Sequence, residues 1–216
     1  MRIIVTGANR GIGRALVETA SARGDAVTGT TRGTPERAGW LRLDVTDPGS
    51  VRAMAEAFGT APLDLLVCNA GVYIDKGEDL ASGYPAGAWA ATFAVNVTGV
   101  FLTVQALLPN LRAGKGKVAI VSSRMGSQAL APGGSYIYRA SKAAAVNLGR
   151  NLAADLRPEG IAVGIYHPGW VRTDMGGAGA DVAAGDAARG LMARFDALSL
   201  ATTGCYEDWQ GQAIPL

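Results

Sequence analysis

Tyr138 and Lys142 stand four residues apart in the run Tyr138-Arg139-Ala140-Ser141-Lys142. On a helix that spacing puts both side chains on one face. There an ammonium favours the phenolate and draws the phenol's pKa down from about 10. A tyrosine so placed suits general-acid work in carbonyl reduction and general-base work in alcohol oxidation. The pair is uncommon by chance. With 6 tyrosines and only Lys76, Lys115, Lys117 and Lys142 as lysines, random placement gives about 0.1 such pairs. Tyr136 drops out, because the residue four beyond it is Ala140.

A second group has the chemistry of a phosphate site. Thr6-Gly7-Ala8-Asn9-Arg10-Gly11-Ile12-Gly13 follows an apolar run and opens a helical pattern. Gly7 permits a tight turn, Gly11 permits backbone approach to a ligand, and Gly13 lets the helix pack on the strand. The helix N-terminus then offers N–H groups and a positive dipole end to a pyrophosphate. Glycine makes up 30 of 216 residues, about twice the usual share, so the triplet alone means little. Its place between strand and helix gives it weight. No Gly-Lys-Ser/Thr closes the loop, which speaks against a phosphate-loop nucleotidase. The second strand ends in Thr30-Thr31-Arg32, without the acid that would accept the ribose hydroxyls of NAD. Arg32 and Arg10 are expected to flank a 2′-phosphate instead, so NADP(H) is expected in preference to NAD(H).

Further polar residues fall at strand ends, where ligands bind in an open α/β sheet. Ser122 and Ser123 close one strand, and Asn69-Ala70-Gly71 closes another. His167-Pro168-Gly169-Trp170-Val171-Arg172-Thr173 forms a turn whose amides suit a carboxamide. Asn96 interrupts a run with no charged residue from Leu80 to Leu111. If buried there, it must find partners or cost about 1–3 kcal/mol. His167, the single histidine, stands where backbone is needed and is not expected to be catalytic. With Cys68 and Cys205 far apart, no metal-ligand cluster is expected. Trp170 fits the pocket lining and the core equally.

These residues need elements that carry them to one edge. Apolar, β-branched runs predict strands at Arg2–Thr6, Ala26–Thr31, Leu41–Asp44, Asp64–Asn69, Lys117–Ser122, Ile161–His167 and Gly204–Tyr206. Helices are predicted near Ile12–Arg23, Pro48–Phe58, Gly87–Leu111, Tyr138–Leu156 and Ala183–Leu198. The alternation implies an α/β fold, a Rossmann-like doubly wound sheet of about seven parallel strands with helices on both faces. Residues 1–216 show no linker or repeat and are expected to form one dinucleotide-binding domain.

A 49% hydrophobic content with a net charge of +2 excludes disorder and offers no footprint for nucleic acid. Trp89, Phe93, Val97, Val100, Val104 and Leu108 recur at helical spacing, which reads as a long core helix and not a membrane span. Its uncharged face, with Ala143-Ala144-Ala145, suits pairing in a homodimer or homotetramer. Two separated cysteines and no leader-like run before the first strand suggest a reduced, cytoplasmic protein.

In their joint order, TGANRGIG at 6–13, DV at 44–45, NAG at 69–71, Asn96, SSRMG at 122–126, YRASK at 138–142 and PGWVRT at 168–173 resemble the short-chain dehydrogenase/reductase family. The resemblance covers nearly the whole chain. The compact end, PGWVRTDMGG followed by a helix and a short strand, is similar to the C-factor and sniffer-type carbonyl reductase branch.

The resemblance implies Tyr138 as proton donor and acceptor. It implies that Lys142 binds the nicotinamide ribose and depresses the tyrosine's pKa. Ser123, in preference to its neighbour Ser122, would bond the substrate oxygen, and Asn96 would hold a water linking Lys142 to solvent. Gly7, Asn9, Arg10, Gly11, Ile12 and Gly13 would cradle the cofactor, with Asp44 and Val45 against the adenine. Asn69, Ala70 and Gly71 would take its adenosine side. Pro168, Gly169, Val171 and Thr173 would lie at the nicotinamide, Thr173 on the carboxamide. Ser123 and Tyr138 are 15 positions apart, above the family's commonest spacing, and Ala131-Pro132-Gly133-Gly134 is expected to absorb the excess as a loop.

Two functions are compatible with these residues. One is an NADP(H)-dependent oxidoreductase interconverting a small-molecule carbonyl compound and an alcohol. The other is a non-catalytic NAD(P)-binding signalling or sensor protein. The set Asn96, Ser123, Tyr138 and Lys142 favours the first, since a sensor has no need of a catalytic acid. The small residues from Gly176 to Gly185 predict an open or poorly ordered substrate pocket with few specificity contacts.

Overall fold

A computed structural model describes residues 1–35 and 37–216. β1 (Arg2–Val5) leads into α1 (Gly11–Ala22), β2 (Ala26–Thr31) and β3 (Leu41–Arg42). α2 (Pro48–Phe58) and β4 (Leu65–Cys68) come next, then α3 (Ala86–Phe93), a π-helical turn (Ala94–Thr98), α4 (Gly99–Ala106) and α5 (Leu108–Gly114). The chain continues through β5 (Lys117–Val121), α6 (Tyr136–Leu156), β6 (Ala162–His167), α7 (Ala184–Ala197) and β7 (Tyr206–Asp208). The sheet order is β3-β2-β1-β4-β5-β6-β7, and every pairing is parallel. This is the expected seven-stranded Rossmann-like sheet. Its order reverses between β1 and β4, so the clefts for a ligand open at the carboxyl ends of those strands.

Both faces of the sheet are covered, which is why β4 is buried at all four positions, Leu-Leu-Val-Cys. On one side Ile4, Leu66 and Ile120 pack with Val51 and Met54 of α2 and with Val100 and Val104 of α4. On the other side Ile3, Val67 and Val121 pack with Leu16 of α1 and with Leu191 and Phe195 of α7. The predicted elements stand, their ends moving by at most two residues. The exception is the predicted helix from Gly87 to Leu111. It begins at Ala86, carries the π-turn at Ala94–Thr98, and breaks before α5, where Pro109 sits in the first turn. The π-turn inserts an extra residue and rotates α4 relative to α3. As a result Val100 and Val104 reach the core, whereas Trp89 stays 36% exposed and Phe101 42% exposed. The helical stretch Ala86–Ala106 is long and apolar enough to cross a membrane by length and composition, with 33% of its most apolar window buried.

Candidate active site

The carboxyl edge of the sheet carries three adjoining cavities. Asn9, Arg10, Arg32, Asp44, Val45, Ala70 and Gly71 are among the residues lining the first, of about 340 Å³. The second, of about 140 Å³, lies among Gly7, Gly11, Ile12, Gly13, Asn69, Tyr138, Lys142, Pro168 and Thr173. The third, of about 340 Å³, opens beyond Tyr138 and takes in Ser123, Gly169 and Val171. Every residue expected at the site from sequence lines one of these cavities except Asn96.

The glycine turn is built from the residues expected. Arg10 is extended and α1 starts at Gly11 with no side chain capping its first turn, so the first-turn N–H groups have no side-chain acceptor. A Cβ on Gly13 would collide with the Gly7 carbonyl oxygen and with Asn69 Nδ2, so only glycine fits there. Asn69 does more structural work than expected: its Nδ2 donates to the carbonyls of Thr6 (2.9 Å) and Gly7 (3.2 Å). The Thr6 hydroxyl accepts from the N–H groups of Asn69 and Ala70, both at 3.0 Å. The end of β4 is thereby riveted to the turn after β1. A Cβ on Gly71 would lie 3.3 Å from Asn96 Oδ1 and 3.5 Å from Lys142 Nζ, crowding the ammonium's approach. The uncapped helix end, this cradle and the cation behind it fit a nicotinamide dinucleotide.

In the first cavity Arg32 is exposed beside Asp44. The Asp44 carboxyl is held below its ordinary range, chiefly by bonds from the Thr46 hydroxyl and N–H, with a smaller contribution from Arg32. Val45 is buried against Gly99 of α4, where a Cβ would come within 2.8 Å of it. Arg10 and Arg32, expected to flank one phosphate, both line the first cavity. Arg10 reaches across to Asp174 at 3.1 Å. That pair is well solvated on both sides, a class worth only about 0–1 kcal/mol, so it is readily exchanged.

Tyr138 and Lys142 project from the first turns of α6 and are both buried. The ammonium donates to the Val121 carbonyl at 3.0 Å and lies 5.7 Å above the centroid of the tyrosine ring. The expected depression of the phenol's pKa by Lys142 is not found. Burial pushes Tyr138 up to about 12, the Ser123 hydroxyl opposes this, and Tyr73 and Asp75 add to the rise. Burial also draws Lys142 down to about 8.

Geometry separates the two serines. The Ser122 hydroxyl donates to the Lys142 carbonyl at 3.0 Å and is used up in fixing α6. Ser123 Oγ accepts from the Met125 N–H at 3.1 Å, lines the same cavity as the Tyr138 phenol and acts to lower its pKa. Asn96, in the π-turn, satisfies its buried amide as expected. Nδ2 donates to the Val72 carbonyl (2.9 Å) and Ser141 Oγ (3.0 Å), and Oδ1 accepts from the Val72 N–H (2.9 Å). Its side chain therefore ties the chain after Gly71 to α6.

Three contributors carried no legible signal. Asp75, 1% exposed, accepts hydrogen bonds from the Ile137 N–H (2.9 Å) and the Tyr138 N–H (3.2 Å) at the start of α6. Tyr73 stacks on Tyr138 with ring centroids 4.2 Å apart and bonds Ser135 Oγ at 2.6 Å. Tyr206, from β7, donates its hydroxyl to the Ser123 carbonyl. Each acts from a segment remote in sequence from what it touches.

The sixth strand's turn also differs in part. Gly169 has φ +89°, and a Cβ there would meet Trp209 Nε1 at 2.9 Å, so its need for glycine comes from packing as well as from the cavity. Thr173 Oγ1 accepts from the Gly176 N–H at 3.1 Å and its methyl faces Gly11. Val182 pairs with Val171, and Trp170 Nε1 donates to the Gly176 carbonyl at 2.9 Å, so this loop is pinned at two points. At its root Trp170, 54% exposed, and Met175 line the third cavity. The excess spacing between Ser123 and Tyr138 is taken up as a loop, with Gly133 and Gly134 both at positive φ. His167 lines the third cavity, and burial draws its pKa down to about 4, so it is neutral.

The fold and this edge define a nicotinamide-dinucleotide-binding oxidoreductase. A family model of the short chain dehydrogenases matches residues 1–181, and the chain belongs to that family. It is 44% identical over 168 residues to the C-signal of Myxococcus xanthus, covering 76% of this chain and 99% of that protein. The NADPH-bound carbonyl reductase from chicken fatty liver superposes with a TM-score of 0.90 at 29% identity, covering 100% of this chain and 98% of that one. The carbonyl reductase Sniffer of D. melanogaster shares the fold, with a TM-score of 0.92 at 23% identity over 100% and 99% of the two chains. These likenesses agree with the C-factor and sniffer-type branch expected from the compact end of the sequence.

Proposed function

We propose that this oxidoreductase reduces small carbonyl compounds with NADPH, with Tyr138 as the general acid. The observation that carries the reading is the meeting of the Ser123 and Tyr138 hydroxyls at one cavity, with the Lys142 ammonium directly behind the tyrosine. When bound, the reduced nicotinamide supplies a hydride to the carbonyl carbon. The N–H groups at Gly11, Ile12 and Gly13 would hold the pyrophosphate, and Lys142 the nicotinamide ribose. The Ser123 and Tyr138 hydroxyls would bond the substrate oxygen, and Tyr138 would pass its proton to that oxygen as negative charge develops. A phenol pushed up to about 12 is protonated at neutral pH and so ready to donate. Lys142 would then steady the phenolate left behind. Trp170 and Met175 would shield the reacting atoms from water.

NADP(H) over NAD(H) is supported by Arg32 at the adenine-end cavity and by the absence of an acid at the end of β2. The likeness to a protein named C-signal favours a second reading, a dinucleotide-binding signal protein without turnover. Oxidation of NADPH in the presence of aldehydes and ketones tests both. Tyr138→Phe is expected to lower turnover by about 10²-fold or more while leaving cofactor affinity unchanged. A wild-type protein no faster than Tyr138→Phe on a broad panel would favour the second reading.

A further inference from the structure

The cavity beyond Tyr138 holds more positive charge than carbonyl reduction requires. Tyr73, Met125, Trp170 and Met175 give it an apolar, aromatic wall around the Ser123 and Tyr138 hydroxyls. Lys76 and Arg124 join that wall and no carboxylate does. Neither cation has an ion pair among the described residues. The charges of Asp75 and Asp208 reach Tyr138 and His167, but neither acid lines the cavity: Asp75 accepts from the N–H groups of Ile137 and Tyr138, and Asp208 from those of Gln210 and Gln212.

Both cations are exposed side chains lining the cavity that holds the reacting hydroxyls. Arg124 comes directly after Ser123 and begins the short 3₁₀ turn Arg124–Gly126. Its charge is felt at His167, in the cavity wall, and at Tyr206 behind Ser123. Lys76 lines the same cavity, with Nζ 3.9 Å from where a Cβ on Gly177 would lie. Two cations without an ion pair beside an apolar cleft attract an anion more strongly than the same charges in open water.

We infer that the substrate is an acidic carbonyl compound, a ketone or aldehyde with an apolar or aromatic body and a carboxylate, which Lys76 and Arg124 hold at the mouth of the cavity. The inference rests on the oxidoreductase reading above. It is tested by NADPH-dependent reduction of benzoylformate and 4-oxo-4-phenylbutanoate by the full chain, each measured against its methyl ester. The acids are expected to show a kcat/KM about tenfold above the esters, falling with added salt. Lys76→Met and Arg124→Met are each expected to raise KM for the acids by about threefold or more and to leave the esters within about twofold. Esters reduced as well as the acids, or variants that impair both alike, would overturn the inference while leaving the oxidoreductase reading standing. If acids, esters and simple aldehydes all fail to exceed the Tyr138→Phe background, the oxidoreductase reading falls and the inference with it.

Discussion

Tyr138 and Lys142 lie on one face of α6, but their surroundings set their protonation more than they set each other's. Tyr138, at about 12, keeps its proton throughout the neutral range. Lys142, at about 8, loses its charge as pH rises through that value. Carbonyl reduction is therefore expected to hold on the acid side of pH 8 and to decline above it, because the phenolate left by proton donation loses its cation. A kcat–pH profile checks this. Lys142→Arg, whose guanidinium stays charged above about pH 12, should move the alkaline limb upward at a lower rate. A rate flat to about pH 10 in the wild type would contradict the assignment of that limb to Lys142. Ser123 and Ser122 illustrate the same dependence on surroundings. Chemically equal in the sequence, they differ because one hydroxyl shares the cavity with the Tyr138 phenol and the other is tied to the Lys142 carbonyl.

The first turn of α6 is held by a clamp of three parts. Asp75 takes its N–H groups, Tyr73 stacks on Tyr138, and Asn96 bonds Ser141. Asp75→Ala would leave two buried N–H groups without their acceptor and is expected to cost about 1–3 kcal/mol, read by urea unfolding. The same variant should lower kcat more than it weakens NADPH binding, since the tyrosine moves and the glycine turn does not. Equal losses in both would instead mean a general loosening of the fold.

Elements of this kind divide what was legible in the sequence from what was not. Strand ends and the α6 pair were legible because apolar runs and helical spacing are local signals. The clamp was not, because Asp75 and Tyr138 are brought together only by the sheet order. Nor was the π-turn, whose single extra residue leaves the sequence's period-3.6 pattern looking continuous through Asn96. The reversal of the expected pKa shift on Tyr138 has a similar origin, since spacing shows that an ammonium is near but not how deeply both groups are buried.

Across the molecule, a cofactor that binds only the folded chain ties the glycine turn, α1 and the loop after β6 to the stability of the whole. At 100 times its dissociation constant NADP⁺ would add about 2.7 kcal/mol, a rise in Tm of about 5–10 °C for a chain of this size. The same concentration of NAD⁺ is expected to give a smaller shift, and Arg32→Asp to narrow or reverse the difference. Equal shifts with both cofactors would remove Arg32 from the account of selectivity.

The central claim is that the cleft running from Asp44 to Trp170 brings a hydride donor and the Tyr138 proton to one carbonyl group. The most direct test traces the label from NADPH deuterated at the nicotinamide C4 during reduction of an aldehyde or ketone. With both C4 hydrogens replaced by deuterium, the account predicts deuterium on the carbon of the alcohol formed, at a rate lowered by about 10²-fold or more in Tyr138→Phe, which still binds the cofactor. Alcohol formed without the label, or label transfer undiminished in Tyr138→Phe, would contradict it.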